Sequence, residues 1–169
     1  MENVNFFVQR TISWDDRTNT VRLIDQTLLP EKFRLINCKT VDSLVRAIKT
    51  MQIRGAPAIG VAGAMGVALS LVEGLKSGMD EKQIAKKIHG DAKTLVNARP
   101  TAVNLSWGVD RALAFIKEFP SDIKPKEEAE KLIAFVKGLA DKDVEDNRKL
   151  ASLGQRLIHN KSSVLTHCN

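Results

Sequence analysis

Residues 57–76 form the segment that most constrains the fold, because they combine a helical pattern with an almost smooth surface. Small residues recur there at helical spacing, at Gly60, Ala64 and Ala68, and two further glycines lie between them. Side chains this small let another backbone come close, so we expect a central, buried helix. The apolar run is rich in glycine and alanine and ends at Glu73, too short in our interpretation to cross a bilayer.

The flanking segments predict a small antiparallel sheet followed by a helical bundle. Before residue 41, short β-prone runs are separated by polar residues, and residues 15–19 have the composition of a hairpin turn. After residue 41, apolar residues recur at the spacing of helices. The predicted strands are residues 6–9, 11–14, 20–24 and 33–36, and the predicted helices are residues 41–51, 57–76, 80–98, 101–118 and 125–160.

The last residues, 161–169, predict a different kind of element, since an apolar stretch after a long helix is how an α/β layer begins. A lone strand of this kind needs partners for its backbone. We therefore expect an α+β N-terminal domain, with a β-rich part over residues 1–40 and a helical bundle over residues 41–160. At residues 161–169 it would lead into the first strand of an α/β domain whose remainder is missing from this chain.

Composition narrows the function classes. The net charge of +6 is carried by lysines that lie beside acids, tyrosine is absent and aromatics make up 5%, which is poor material for stacking nucleic-acid bases. Cys38 and Cys168 lie in unrelated segments without the spacing of a metal site. The N-terminus lacks a basic secretory leader. We expect a cytoplasmic protein without bound metal and without nucleic-acid or membrane partners.

Arg54 and the residues after it form a candidate anion site. Pro57 suits the first turn of a new helix, because its missing N–H would have no partner there. The first N–H groups of a helix lie at the positive end of its dipole, and Gly55 and Ala56 leave room for a ligand's oxygens. Arg54 adds a full charge and a fork of donors suited to phosphate. The alternative is a tight turn between helices with a solvated arginine.

Three further segments are weaker candidates. Arg99 stands in a similar setting, because Thr101 can cap the following helix, so both arginines could meet one phosphate or each could be a surface residue beside a cap. Cys168 ends the apparent final strand, where α/β proteins place catalytic groups, although a buried inert cysteine is the alternative. Residues 25–30 are either a loop over a pocket or an ordinary turn.

Four motifs, in this order and separation, resemble the methylthioribose-1-phosphate isomerase family. That family shares a superfamily with the regulatory subunits of eukaryotic translation initiation factor 2B and with ribose-1,5-bisphosphate isomerase. The motifs are Asp25-Gln26-Thr27 with Leu29-Pro30, the stretch from Met51 to Gly60, the stretch from Arg99 to Leu105, and the stretch from Leu165 to Asn169.

The resemblance implies an aldose–ketose isomerase of methionine salvage that converts 5-methylthioribose 1-phosphate without cofactor or metal. It implies a homodimer whose Rossmann-like C-terminal domain, the remaining part of the same protein, supplies a catalytic aspartate and an Asn-Lys pair. It implies that Cys168 is catalytic, and that the phosphorylated sugar is bound by Arg54, Gly55, Ala56 and Arg99. A non-catalytic regulatory or scaffold subunit and a ribose-1,5-bisphosphate isomerase remain as alternatives.

Overall fold

The structure, a computed structural model, describes residues 10–165. It confirms the expected small antiparallel sheet beside a bundle of helices. The strands, in the order β1-β2-β3 across the sheet, are β1 (Ile12–Asp15), β2 (Thr20–Ile24) and β3 (Leu35–Cys38). The helices are α1 (Val41–Lys49), α2 (Ala56–Lys76), α3 (Glu81–Val96), α4 (Val103–Lys117) and α5 (Pro125–Gly154). Short 3-10 turns follow β2 at Gln26–Leu28 and α5 at Gln155–Leu157.

The sheet is a meander whose first turn is held by an aspartate. The Asp15 carboxylate accepts hydrogen bonds from the backbone N–H groups of Arg17 and Thr18, which closes the predicted hairpin turn. The third strand lies later than the predicted residues 33–36, because its pairing with β2 runs from Leu35, opposite Ile24, to Cys38, opposite Val21. The predicted strand at residues 6–9 lies outside the described residues.

Helix α2 is the centre of the bundle, as expected, and it packs against α3, α4, α5 and the sheet. By length and composition alone, Ala56–Lys76 would suffice to cross a membrane, so, contrary to the expectation, this helix is not too short to do so. Within the fold, 83% of its most apolar window is buried. The other helices and the sheet therefore account for its apolar surface.

The smooth face of α2 receives the backbone of α4. A methyl group on Gly108 would overlap the carbonyl oxygen of Gly60, and one on Gly63 would lie 2.6 Å from the carbonyl oxygen of Leu105. Since neither distance leaves room for a Cβ, both helices depend on glycine at this crossing. This contact fixes the start of α4 close to the first turns of α2.

A partly buried polar network joins α1, α2 and α3. Glu73 of α2 accepts the Val41 N–H at 2.6 Å and pairs with Lys87 at 2.9 Å. Lys87 also contacts Asp91 at 2.8 Å, and Asp91 accepts the hydroxyl of the buried Ser70. Burial alone would lower the pKa of Lys87, but the hydrogen bonds and charges of Asp91 and Glu73 raise it above its ordinary value.

Two helix ends differ from the prediction. Thr101 does not cap α4: the helix begins at Val103, its N-cap is Ala102, and the N-cap makes no side-chain hydrogen bond to the helix. Helix α5 ends at Gly154, earlier than predicted, and passes into a 3-10 turn. Residues 162–165 have no regular secondary structure and residues 166–169 lie outside the described part of the chain, so the strand at residues 161–169 stays a prediction.

Candidate functional site

A cleft of about 590 Å³ opens between the start of α2, the sheet and the second half of α5. One part of its wall is apolar and includes side chains from both strands of the first hairpin, from α2 and from α5. Another part is polar and includes the predicted Arg54 and Gly55. The polar and charged residues of the wall are Arg10, Thr11, Gln26, Arg54, Asp143 and Arg148.

The backbone around Gly55 places Arg54 beside the first turn of α2. Gly55 is the N-cap and has φ +89°, a conformation that L side chains rarely adopt, so glycine is required here. Helix α2 begins at Ala56 with Pro57 in its first turn, which confirms the predicted restart of a helix. Ile53 is fully buried and anchors the chain just before Arg54, which is exposed. The site therefore combines a cation with a helix start.

The Asp25-Gln26-Thr27 motif holds this loop from the sheet side. The backbone N–H of Gln26 donates to the Gln52 carbonyl at 3.0 Å, and the Gln26 amide donates to the Arg54 carbonyl at 3.3 Å. The Gln52 amide in turn donates to the Asp25 carboxylate at 2.9 Å. The motif is thus more than an ordinary turn, because it binds the backbone on either side of Ile53.

Asp25 is a buried acid kept in its ionised form by donors. It is only 3% exposed, and burial alone would raise its pKa. The side chains of Thr27 and Gln52, the Thr27 N–H and the charge of Arg34 more than offset burial, so the pKa lies below its ordinary value. The hydroxyl of Thr27 donates to the carboxylate at 2.6 Å. Asp25 is therefore a charged anchor for the Arg54 loop.

Arg99 lies in the turn between α3 and α4, where its carbonyl accepts the Ala102 N–H at 2.9 Å. Arg99 is not among the described residues that line the cleft. Its element nevertheless comes near the site, because a methyl group on Gly60 would lie 3.0 Å from the carbonyl oxygen of Asn104. The beginning of α4 therefore contacts α2 about one turn after Gly55. A shared phosphate for the two arginines stays a prediction.

The two cysteines differ in what the structure says of them. Cys168 lies outside the described residues, and its catalytic role stays a prediction. Cys38 is buried at the end of β3, and burial raises the pKa of its thiol, although a hydrogen bond with the Ser43 side chain acts in the opposite direction. Cys38 is therefore protonated near neutral pH and suited to packing rather than to attack.

Sequence reasoning missed the contribution of α5 to the cleft. Ala140, Val144 and Arg148 lie at i, i+4 and i+8, which places them on one face of the helix, and all three line the cleft together with Asp143. The spacing is visible in the sequence, but charges that alternate in sign along a helix, as they do here, are typical of a solvated face. Within residues 10–165, no group of histidine, cysteine or acidic side chains is arranged to hold a metal ion.

Comparison with known proteins gives a consistent set of relatives. The model of the initiation factor 2 subunit family matches residues 52–169. A protein of Methanosarcina acetivorans, provisionally named methylthioribose-1-phosphate isomerase, is 40% identical over 167 residues. That match covers 96% of this chain and 45% of the relative, so the chain spans about half the length of the curated relatives it matches.

Two solved structures share the fold. The crystal structure of translation initiation factor eIF-2B, subunit delta, from A. fulgidus has a TM-score of 0.78 at 40% identity and covers 95% of this chain and 45% of its own. The structure of 5-methylthioribose 1-phosphate isomerase from Pyrococcus horikoshii OT3 has a TM-score of 0.77 at 30% identity, covering 89% of this chain and 41% of its own. Proteins with this fold are thus named both as an initiation factor subunit and as an isomerase.

Proposed function

The chain belongs to the initiation factor 2 subunit family, and from this membership we propose that it forms the phosphate-binding part of an aldose–ketose isomerase. The substrate proposed is 5-methylthioribose 1-phosphate, the sugar in the names of its relatives. The observation that carries the proposal is the position of Arg54 at the start of α2, on the wall of a cleft with both polar and apolar surface. A phosphorylated sugar with an apolar substituent matches both kinds of surface.

The proposed role of the Arg54 loop is to fix the phosphate while the sugar reacts. A sugar phosphorylated at C1 cannot open freely to an aldehyde, so the ring C1–O bond must break with the phosphate still attached and the ring oxygen must take a proton. A base then removes the proton from C2, a proton is delivered to C1, and the C2 hydroxyl loses its proton to give the ketone. Arg54, Gly55 and Ala56 would hold the phosphate throughout, with Arg99 as a further contact.

Cys168 is the group we propose for moving the carbon-bound proton, with an aspartate beyond this chain serving the hydroxyl and ring oxygens. Because the chain spans 45% of its relatives, we propose that a Rossmann-like domain in the remaining length completes the site. Assembly as a homodimer, a cytoplasmic location and a place in methionine salvage belong to the same proposal. No cofactor is required by this proton transfer.

The test is an isomerase assay on the protein that carries this chain, with 5-methylthioribose 1-phosphate as substrate. Cys168→Ser should lower kcat by orders of magnitude with little change in KM, because it alters proton transfer and not phosphate binding. Arg54→Ala should chiefly raise KM. Unchanged turnover in the Cys168 variant would remove that residue from the mechanism, and unchanged kinetics in the Arg54 variant would remove the anchor.

A second candidate function is a non-catalytic subunit in a regulatory assembly. It is favoured by the 40% identity and TM-score of 0.78 to the A. fulgidus structure that bears an initiation factor name. The two candidates are separated by the same assay. Absence of turnover with the methylthio sugar and with ribose 1,5-bisphosphate, in a protein that contains both halves of the site, would favour the regulatory subunit.

A further inference from the structure

The wall formed by α5 brings a second arginine into the cleft of Arg54. Ala140 of α5 lines a small pocket together with Met65 of α2, and it also lines the cleft together with Val61. About two turns further along α5, a rise of about 12 Å, Arg148 lines the same cleft as Arg54 and Gly55 at the start of α2.

Cationic side chains gather on the wall of the cleft. Among the described residues that line it, Arg10, Arg54 and Arg148 are cations and Asp143 is an acid. The charge of Arg10 is taken up by Asp141, with which it forms an ion pair. Arg148 is exposed, and within residues 10–165 no ion pair or hydrogen bond of its side chain occurs. Cationic side chains gathered in one cleft repel each other and are stabilised by a bound anion.

We propose that Arg148 is a second anion-binding residue of this cleft and acts on the same phosphate group as Arg54. The inference rests on the proposed function, because it assigns a further residue to the same site. Arg148 lies on the same face of α5 as Ala140 and Val144. Helix α5 therefore supplies both apolar surface and the second arginine to the cleft. A phosphate held between α2 and α5 is gripped from two sides, which fixes its orientation as well as its position.

The test measures binding of inorganic phosphate to the chain by NMR titration at constant ionic strength, with the backbone amide signals of Gly55 and Ala56 as reporters. Arg148→Ala should raise the Kd of phosphate about tenfold, the loss typical of one charge-assisted contact. Arg148→Lys should retain part of the affinity, because it keeps the charge but not the fork of donors. Thermal unfolding of each variant checks that the fold is intact.

Lys149→Ala is the matched control. Lys149 is the next residue of α5, is exposed and pairs with Glu145, so its removal changes the net charge equally without touching the cleft. Equal Kd values for the Arg148→Ala and Lys149→Ala variants would overturn the inference.

Arg54→Ala separates this inference from the function it rests on. If Arg54→Ala weakens phosphate binding and Arg148→Ala does not, the anion-binding role of Arg148 is wrong and the phosphate site at Arg54 is retained. If only Arg148→Ala weakens binding, the Arg54 anchor of the proposed function is wrong. Failure of the unmodified chain to bind phosphate saturably would overturn the role of Arg148 and the Arg54 phosphate site in this chain, whereas the isomerase assay on the longer protein tests the proposed reaction.

Discussion

The amide of Gln52 donates a hydrogen bond of 2.9 Å to the buried carboxylate of Asp25, across 27 residues of sequence. This bond joins the end of β2 to the segment that leads into Arg54. Because Gln26 also binds the backbone of Gln52 and Arg54, further hydrogen bonds join the end of β2 to the segment that enters α2. The position of the candidate phosphate anchor therefore depends on an acid that does not itself line the cleft.

Replacing that acid should change stability in a pH-dependent way. The pKa of Asp25 is lower in the folded chain than in the unfolded chain, so its stabilising contribution is present above the unfolded value, near 4, and is lost as pH falls through the folded value. Asp25→Asn should cost on the order of 1–3 kcal/mol at pH 7, because its donors lose a charged acceptor.

Urea unfolding at several pH values measures the Asp25 effect. The difference between the two proteins should shrink as the pH is lowered below about 4. A constant difference across that range would show that the carboxylate charge does not contribute.

Gly55→Ala tests the backbone of the anion site. A methyl group meets no neighbour there, but φ is +89°, so the variant should lose about 1–2 kcal/mol through strain alone. Relaxation of that strain shifts the Arg54 loop, and phosphate affinity should fall as well. Gly78→Ala is the matched control, since Gly78 has φ +67°, open surroundings and a place outside the cleft. A similar loss of phosphate affinity in the Gly78→Ala control would show that the backbone conformation at Gly55 does not determine binding.

Of the glycine-to-alanine substitutions in the helical bundle, Gly108→Ala should destabilise the fold most. It would overlap the carbonyl oxygen of Gly60, and backbone cannot move aside as a side chain can. We expect a loss of at least about 2 kcal/mol in the free energy of unfolding. Gly90→Ala, on the exposed side of α3 with nothing near the new methyl group, should instead gain about 0.5–1 kcal/mol. Comparable effects of the two substitutions would mean that α2 and α4 do not touch at this point.

Lys87→Met should destabilise the junction of α1, α2 and α3. Its removal leaves Glu73 and Asp91 without their shared cation, at a cost of roughly 1–3 kcal/mol. Since the folded pKa of Lys87 is raised, its contribution is present below the unfolded value of 10.5 and disappears as pH rises through the folded value.

The Lys87 prediction is checked by melting temperatures between pH 8 and strongly alkaline conditions, with Lys86→Met as control. Lys86 is the exposed neighbour on α3, and its replacement should have little effect. Equal melting temperatures of the two variants at pH 8 would contradict the prediction.

The parts of the fold that follow from local pattern could be predicted from the sequence. The strand at residues 20–24 follows from a β-prone run after polar turn residues, and the start of α2 near Pro57 follows from proline's fixed geometry. The failure of Thr101 as a cap, and the placing of Arg148 rather than Arg99 on the cleft wall, depend on tertiary packing. The helical face of Arg148 was readable, but no local signal tells which face of α5 meets α2. Asp25 was singled out by a motif, whereas its bond to Gln52 needed the fold.

The contact between Gly60 and Gly108 sets a lower limit on the distance between α2 and α4. At most core positions, neighbouring side chains can shift to make room for an added methylene, at a cost in free energy. Here two main chains meet without a side chain between them, and the contact leaves no room for a closer approach. The separation of the two helix starts is thus set by atomic radii of the backbone itself. A ligand that spans the starts of α2 and α4 therefore binds across a fixed distance. Adaptation to a larger or smaller anion has to come from the arginines and from the wall formed by α5.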